Sequence, residues 1–240
     1  MAKAHWQFSP PWWSWGLLLP LLALLLALGT WQRQRGLDKE TLLAAYVQAQ
    51  TQQPVVLDAR SPAAPEGALK VSVRGQYQAA RQLLHDNQTH QQRPGLHVWT
   101  PLRTAQGGLV LVNRGWVALS QGAADLSPPS GEVWLTGLWR ALPRAGMRSE
   151  MPCEPATAFP QWVNYPDAGQ LQCLLGEPVA EGLLLLDPQV EGGYRREWNF
   201  AQAIPPERHY AYALQWWALA LTLIVLFLKL NLKKQRNVYD

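Results

Sequence analysis

The chain has 240 residues, room for one ordinary domain plus two membrane-spanning segments. Its net charge of +4 is small and scattered, which argues against nucleic acid as a partner. Mean hydropathy is close to neutral, and the apolar residues are concentrated at the two ends of the chain.

The first of these runs, Trp12 to Trp31, carries no charge, and its centre from Leu17 to Leu28 is nearly all Leu and Ala, broken by Pro20. Trp12, Trp13 and Trp15 stand at one end and Trp31 at the other, as interfacial belts do, about 20 residues apart, the length that crosses hydrocarbon. The composition, 13 Trp against 4 Phe, fits a chain that meets the membrane interface. The competing expectation is a cleaved signal peptide ending near Ala27-Leu28-Gly29. Leu37 to Gln50 follows with helical spacing at Leu42, Leu43, Tyr46 and Val47. It reads either as a separate helix capped by Asp38 or as an extension of the first span.

After a linker marked by Pro54, Pro62 and Pro65 the period changes to two. Lys70 to Tyr77, Gln82 to His85, Leu96 to Leu102, Leu109 to Val117 and Glu132 to Trp139 predict strands, with Ala105-Gln106-Gly107-Gly108 as a hairpin turn. Asp167 to Leu175 predicts a short helix capped by Asp167 and stopped by Gly176. Leu183 to Leu186 and Glu197 to Phe200 predict two last strands. The second uncharged run, Tyr210 to Leu228, closes on Lys229, Lys233, Lys234 and Arg236.

The expected fold is therefore membrane α+β. Two transmembrane helices flank one antiparallel, β-rich, barrel-like extracytoplasmic domain with a small helix. Residues 1–11 form a tail, 12–31 the first helix, 32–209 the domain, 210–228 the second helix and 229–240 a second tail. The cations after Leu228 predict a cytoplasmic C-terminus and, with two spans, a cytoplasmic N-terminus. Arg33, Arg35 and Lys39 pull the first helix the other way. The short stretch before the first span points to a bacterial inner membrane rather than an imported organelle protein. Cys153 and Cys173, the only cysteines, read equally as a disulfide or as two free thiols.

No phosphate loop, nucleophile elbow or zincin helix is present, so no catalytic residues are assigned. His85, His90 and His97 share the strand-rich region and read as sheet histidines more readily than as a metal site. His209 opens the second span, and on a helix Ala213, Trp216 and Ala220 share its face. A His beside small residues and an aromatic suits either a helix anchor or a seat for a porphyrin, with Arg208, Arg195 and Arg196 for its carboxylates. Asn113-Arg114-Gly115-Trp116 reads as a strand with a Gly bulge or as a contact surface anchored by Arg114 and Trp116.

Several stretches carry a family resemblance. They are Leu28-Gly29-Thr30-Trp31-Gln32 with Arg35, then Val73-Arg74-Gly75 with Tyr77, Pro94 to Leu102, Val110 to Val117, Trp162 with Tyr165, and Pro206 to Trp216. With these the chain resembles the Surfeit locus protein one (Surf-one) family of cytochrome c oxidase assembly factors. The resemblance implies two spans around a periplasmic domain. It implies a role in delivering haem a to the catalytic subunit of a haem–copper oxidase, with His209 as axial ligand to the haem iron. A haem a synthesis enzyme is a further implied partner, and membrane lipid surrounds the spans. The alternative is a structural assembly factor that stabilises an oxidase intermediate without holding haem.

Overall fold

A computed structural model describes residues 5–57, 63–65, 67–119, 126–144, 154–198 and 205–235. The chain divides into two compact units, residues 1–43 with 201–240, and residues 44–200.

The first unit is a helical hairpin. Strand β1 (His5–Phe8) leads into helix α1 (Trp12–Thr51), and helix α3 (Pro206–Asn231) leads into strand β10 (Leu232–Gln235), which pairs antiparallel with β1. Both helices are long and apolar enough to cross a membrane, and only 11% of the apolar window of each is buried. A soluble core helix would bury most of that window; these leave Leu19, Leu24, Leu214 and Leu221 exposed, as a lipid solvent allows. Phe8, Trp15 and Phe227 pack edge to face at one end of the hairpin, with ring centroids 5.1–6.5 Å apart.

Helix α1 is one continuous helix of 40 residues, about 60 Å at 1.5 Å per residue. Leu37 to Gln50 therefore extends the first span, and Asp38 caps nothing: its carboxylate accepts from Gln34 Nε2 one turn back at 2.9 Å. The last turns of α1 belong to the second unit, where Tyr46 and Ala49 are buried and the Arg140 guanidinium lies 5.4 Å from the Tyr46 ring.

The second unit is a sheet of eight strands. They are β2 (Val55–Val56), β3 (Ala68–Tyr77), β4 (Leu83–His90), β5 (Arg93–Thr104), β6 (Leu109–Ala118), β7 (Glu132–Ala141), β8 (Gln161–Val163) and β9 (Gly182–Leu186). Their order across the sheet is β2-β3-β7-β9-β6-β5-β4-β8. This corrects the expected antiparallel, barrel-like domain. The pairs β2–β3, β4–β8 and β6–β9 are parallel, so the sheet is mixed. It is not a closed barrel, since β2 and β8 remain as edges, although β3 also reaches β5 through Gly75–Thr104, Gln76–Arg103 and Tyr77–Leu102.

The central strands explain the stability of the sheet. In β6, Leu109 and Leu111 enter one core with Leu183 and Leu185 of β9, while Val110 and Val112 enter the other with Leu184 and Leu186. Strands buried on both faces read as unbroken apolar runs, as these two do. Helix α2 (Ala168–Leu175) closes the first core with Leu171 and Leu175. Asp167 caps it through a capping box with Gln170, and Gly176 ends it at φ 69°, as the residue pattern predicts. Cys173 on α2 is disulfide-bonded; Cys153, the other cysteine of the chain, lies outside the described residues. Of the last predicted strand, Glu197 and Trp198 are irregular and the remainder is outside the described residues.

Candidate functional site

Helix α3 begins at Pro206, whose fixed φ and missing N–H suit the first helical position. The first turn carries Glu207, Arg208 and His209. The His209 imidazole turns toward α1, and its Nδ1 lies 2.8 Å from Gln32 Oε1. A carbonyl oxygen accepts, so Nδ1 donates, and in a neutral ring the lone pair then sits on Nε2. Nε2 is buried and has no hydrogen-bond partner among the described residues. A buried nitrogen with a free lone pair and a second atom fixed by an amide oxygen is the arrangement of a metal-ligating histidine.

The other residues expected at this site separate into two groups. Ala213 and Ala220, each 2% exposed, are buried together with Pro206 at intervals of one heptad. They do not line an open slot. They are closed off within the hairpin. On α1, two glycines receive aromatic side chains of α3. A Cβ at Gly29 would lie 2.3 Å from the Trp217 indole nitrogen, and one at Gly36 would lie 2.5 Å from the Tyr210 ring. Trp216 is half-buried and Arg208 is exposed, both free to meet a ligand or lipid. Gln32 is the site residue that the sequence does not single out; it stands there only within the stretch Leu28 to Gln32 that carries the family resemblance.

In the second unit, Asn113-Arg114-Gly115-Trp116 forms a bulge in β6. Strand β5 passes from His97 to Trp99 while β6 passes from Trp116 to Asn113, so β6 carries one extra residue. Gly115 takes φ 114°, and a Cβ there would meet the Arg195 carbonyl at 2.6 Å. The bulge puts Trp116 on the face of Asn113, while regular alternation from Val110 and Val112 leaves Arg114 on the other.

Arg114 is therefore not on a contact surface. It is 2% exposed. Its Nε donates to the Gly192 carbonyl at 2.7 Å, Nη1 to the Leu126 carbonyl at 2.7 Å and Nη2 to the Ser127 carbonyl at 3.2 Å. Its guanidinium plane lies 5.6 Å from the Tyr77 ring and 5.1 Å from the Tyr194 ring. Burial pushes the Tyr77 phenol up to about 12, so Tyr77 stays neutral under the guanidinium. A planar fork with several donors can tie two loops to a sheet where an ammonium could not. Trp116 is also buried, and its indole donates to the Gln88 carbonyl at 3.2 Å. Arg196, expected near a carboxylate ligand, instead donates to the Asp187 and Tyr194 carbonyls.

His85, His90 and His97 line one cavity of this unit. Burial pulls both His85 and His97 down to about 4, so both are neutral at physiological pH. No group of three His, Cys, Asp or Glu among the described residues is arranged to hold a metal ion. Over residues 19–221 the chain matches the family model described as SURF1 family, and no curated protein matches the chain.

Proposed function

The chain belongs to the SURF1 family, and on that premise we propose that it is an assembly factor for a haem–copper terminal oxidase that binds haem a through His209 and assists its insertion into the catalytic subunit. The observation that carries this reading is the His209 imidazole, held at Nδ1 by Gln32 and left with a buried, unpartnered Nε2. When bound, haem a would supply an iron centre that the His209 imidazole could hold.

The roles of the protein residues follow from their chemistry. His209 gives a single nitrogen ligand, which exchanges more easily than a pair. Gln32 holds the ring in the tautomer that leaves Nε2 unprotonated. Arg208, exposed one residue before, is suited to a propionate. Trp216 offers an aromatic surface two turns along the same helix. The membrane around the hairpin accepts the apolar tail of the ligand. In this reading the protein lies in a bacterial inner membrane, with both termini cytoplasmic and residues 32–209 periplasmic. It receives its ligand from a haem a synthesis enzyme.

One observation favours the alternative, a factor that stabilises an oxidase intermediate and never holds haem: Ala213 and Ala220 are closed within the hairpin. Purification from membranes that make haem a separates the two readings. The first predicts a haem a spectrum that is lost in His209→Ala. The second predicts no haem in either protein and an unchanged yield of assembled oxidase with His209→Ala.

A further inference from the structure

The second unit contains a cavity of about 530 Å³ that nothing in the His209 reading uses. Its floor continues the apolar face formed by Leu83, Trp99, Leu111 and Leu183, but one step along β4, β5 and β6 the residues become polar: His85, His97 and Asn113. The period of two in β4 and β5 places these side chains on the same face. The bulge at Gly115 adds Trp116 to them, and Tyr165 and Trp198 supply further walls.

The hydrogen bonds of this site fix its donors. Gly115 N–H donates to Asn113 Oδ1 at 3.0 Å, so the amide must present its NH2 to His97, and Asn113 Nδ2 lies 2.8 Å from His97 Nδ1. A neutral His97 that accepts at Nδ1 carries its proton on Nε2. His85 is 3% exposed and stacks on Trp99, with ring centroids 4.6 Å apart and planes 19° apart, while the edge of Tyr165 stands 5.0 Å away. Neither His85 Nε2 nor Trp99 Nε1 has a hydrogen-bond partner among the described residues. Buried polar atoms without partners are rare in native proteins, and in a cavity wall they point to a partner that arrives with a ligand.

Charge narrows the class of ligand. Arg140 and Arg195 line the cavity; Glu197, the one carboxylate among the described residues of its wall, lies 3.7 Å from His90 Nε2. Cations are thus disfavoured. N–H donors and guanidinium groups call for acceptor oxygens, and walls of stacked rings call for a flat π-system. The volume is within the usual range for small-molecule sites. We propose that this cavity binds a planar conjugated carboxylate, seated between the Trp99–His85 stack and Trp198 with its carboxylate toward Arg195. The proposal is independent of His209, and either can fail without the other.

Full-length protein in detergent, titrated by calorimetry with anthracene-2-carboxylate, tests it. The expected result is saturable binding with one site. Affinity should fall at least tenfold in His85→Phe, which keeps the stack and removes the nitrogens, and in Arg195→Gln, an exposed position where folding is not at risk. The cationic analogue anthracen-2-ylmethylammonium should not bind, and His209→Ala should bind as the parent does. Absence of saturable binding, equal binding of the ammonium analogue, unchanged affinity in Arg195→Gln, or loss of binding in His209→Ala would each overturn it.

Discussion

Gln32 and His209 are 177 residues apart in the chain, yet the amide oxygen of one lies 2.8 Å from the imidazole Nδ1 of the other. That one contact links the two apolar helices at the point where the second begins, and it determines which nitrogen of His209 is free. If it acts as an orienting bond, Gln32→Leu should weaken haem a binding about 10- to 100-fold, the usual effect of losing such a partner. The check is haem retention in competition with a haem-binding scavenger. Gln32→Glu, which keeps an acceptor oxygen, should recover most of the loss.

The hairpin closes through Gly29 and Gly36, whose missing side chains admit Trp217 and Tyr210. Gly29→Val should hold the helices apart, at a cost of about 1–3 kcal/mol for overpacking. Cysteine cross-linking between α1 and α3 in membranes should drop in this variant, while Gly16→Val, with open space around it, should cross-link as before.

Arg114 is a buried internal tie, so its loss should appear as instability rather than as a weakened partner contact. Arg114→Met should destabilise the domain by about 3 kcal/mol, because three carbonyls lose a charged donor together. Arg114→Lys should restore little, since an ammonium cannot span the same acceptors. Thermal unfolding of the purified protein measures both.

The two spans were legible because a long uncharged run has few other stable homes. Helix α2 was legible because Asp167, Gln170 and Gly176 are local signals at fixed offsets. Parallel pairing of β6 with β9 was not, because nothing within either strand names a partner some 70 residues away. Arg114 reads as a surface residue because Arg normally is one, but both faces of β6 are buried and the alternation of Val110 and Val112 carries Arg114 onto a core face. Ala213 and Ala220 looked like a slot, and small residues do leave a slot unless another helix fills it. Gly29 and Gly36, one heptad apart on α1, take in Trp217 and Tyr210 of α3, the helix that carries these alanines.

The neutral histidines make stability depend on pH. His85 and His97 titrate near 4 in the folded protein and near 6.5 when unfolded, because burial disfavours the charged ring. Between these values the unfolded chain binds more protons than the folded one, so stability rises with pH. It should be full above about pH 6.5, fall steadily as pH drops toward 4, and level off below, each site contributing up to about 3 kcal/mol on its own. Denaturant midpoints between pH 4 and 7 give the slope, and His85→Phe should flatten it.

Titration of purified, haem-free protein with haem a, followed by visible absorbance, asks whether His209 holds the ligand. One saturable site with a histidine-ligated spectrum is expected, weakened in Gln32→Leu and absent in His209→Ala. The same titration curve and spectrum in His209→Ala as in the parent would contradict it.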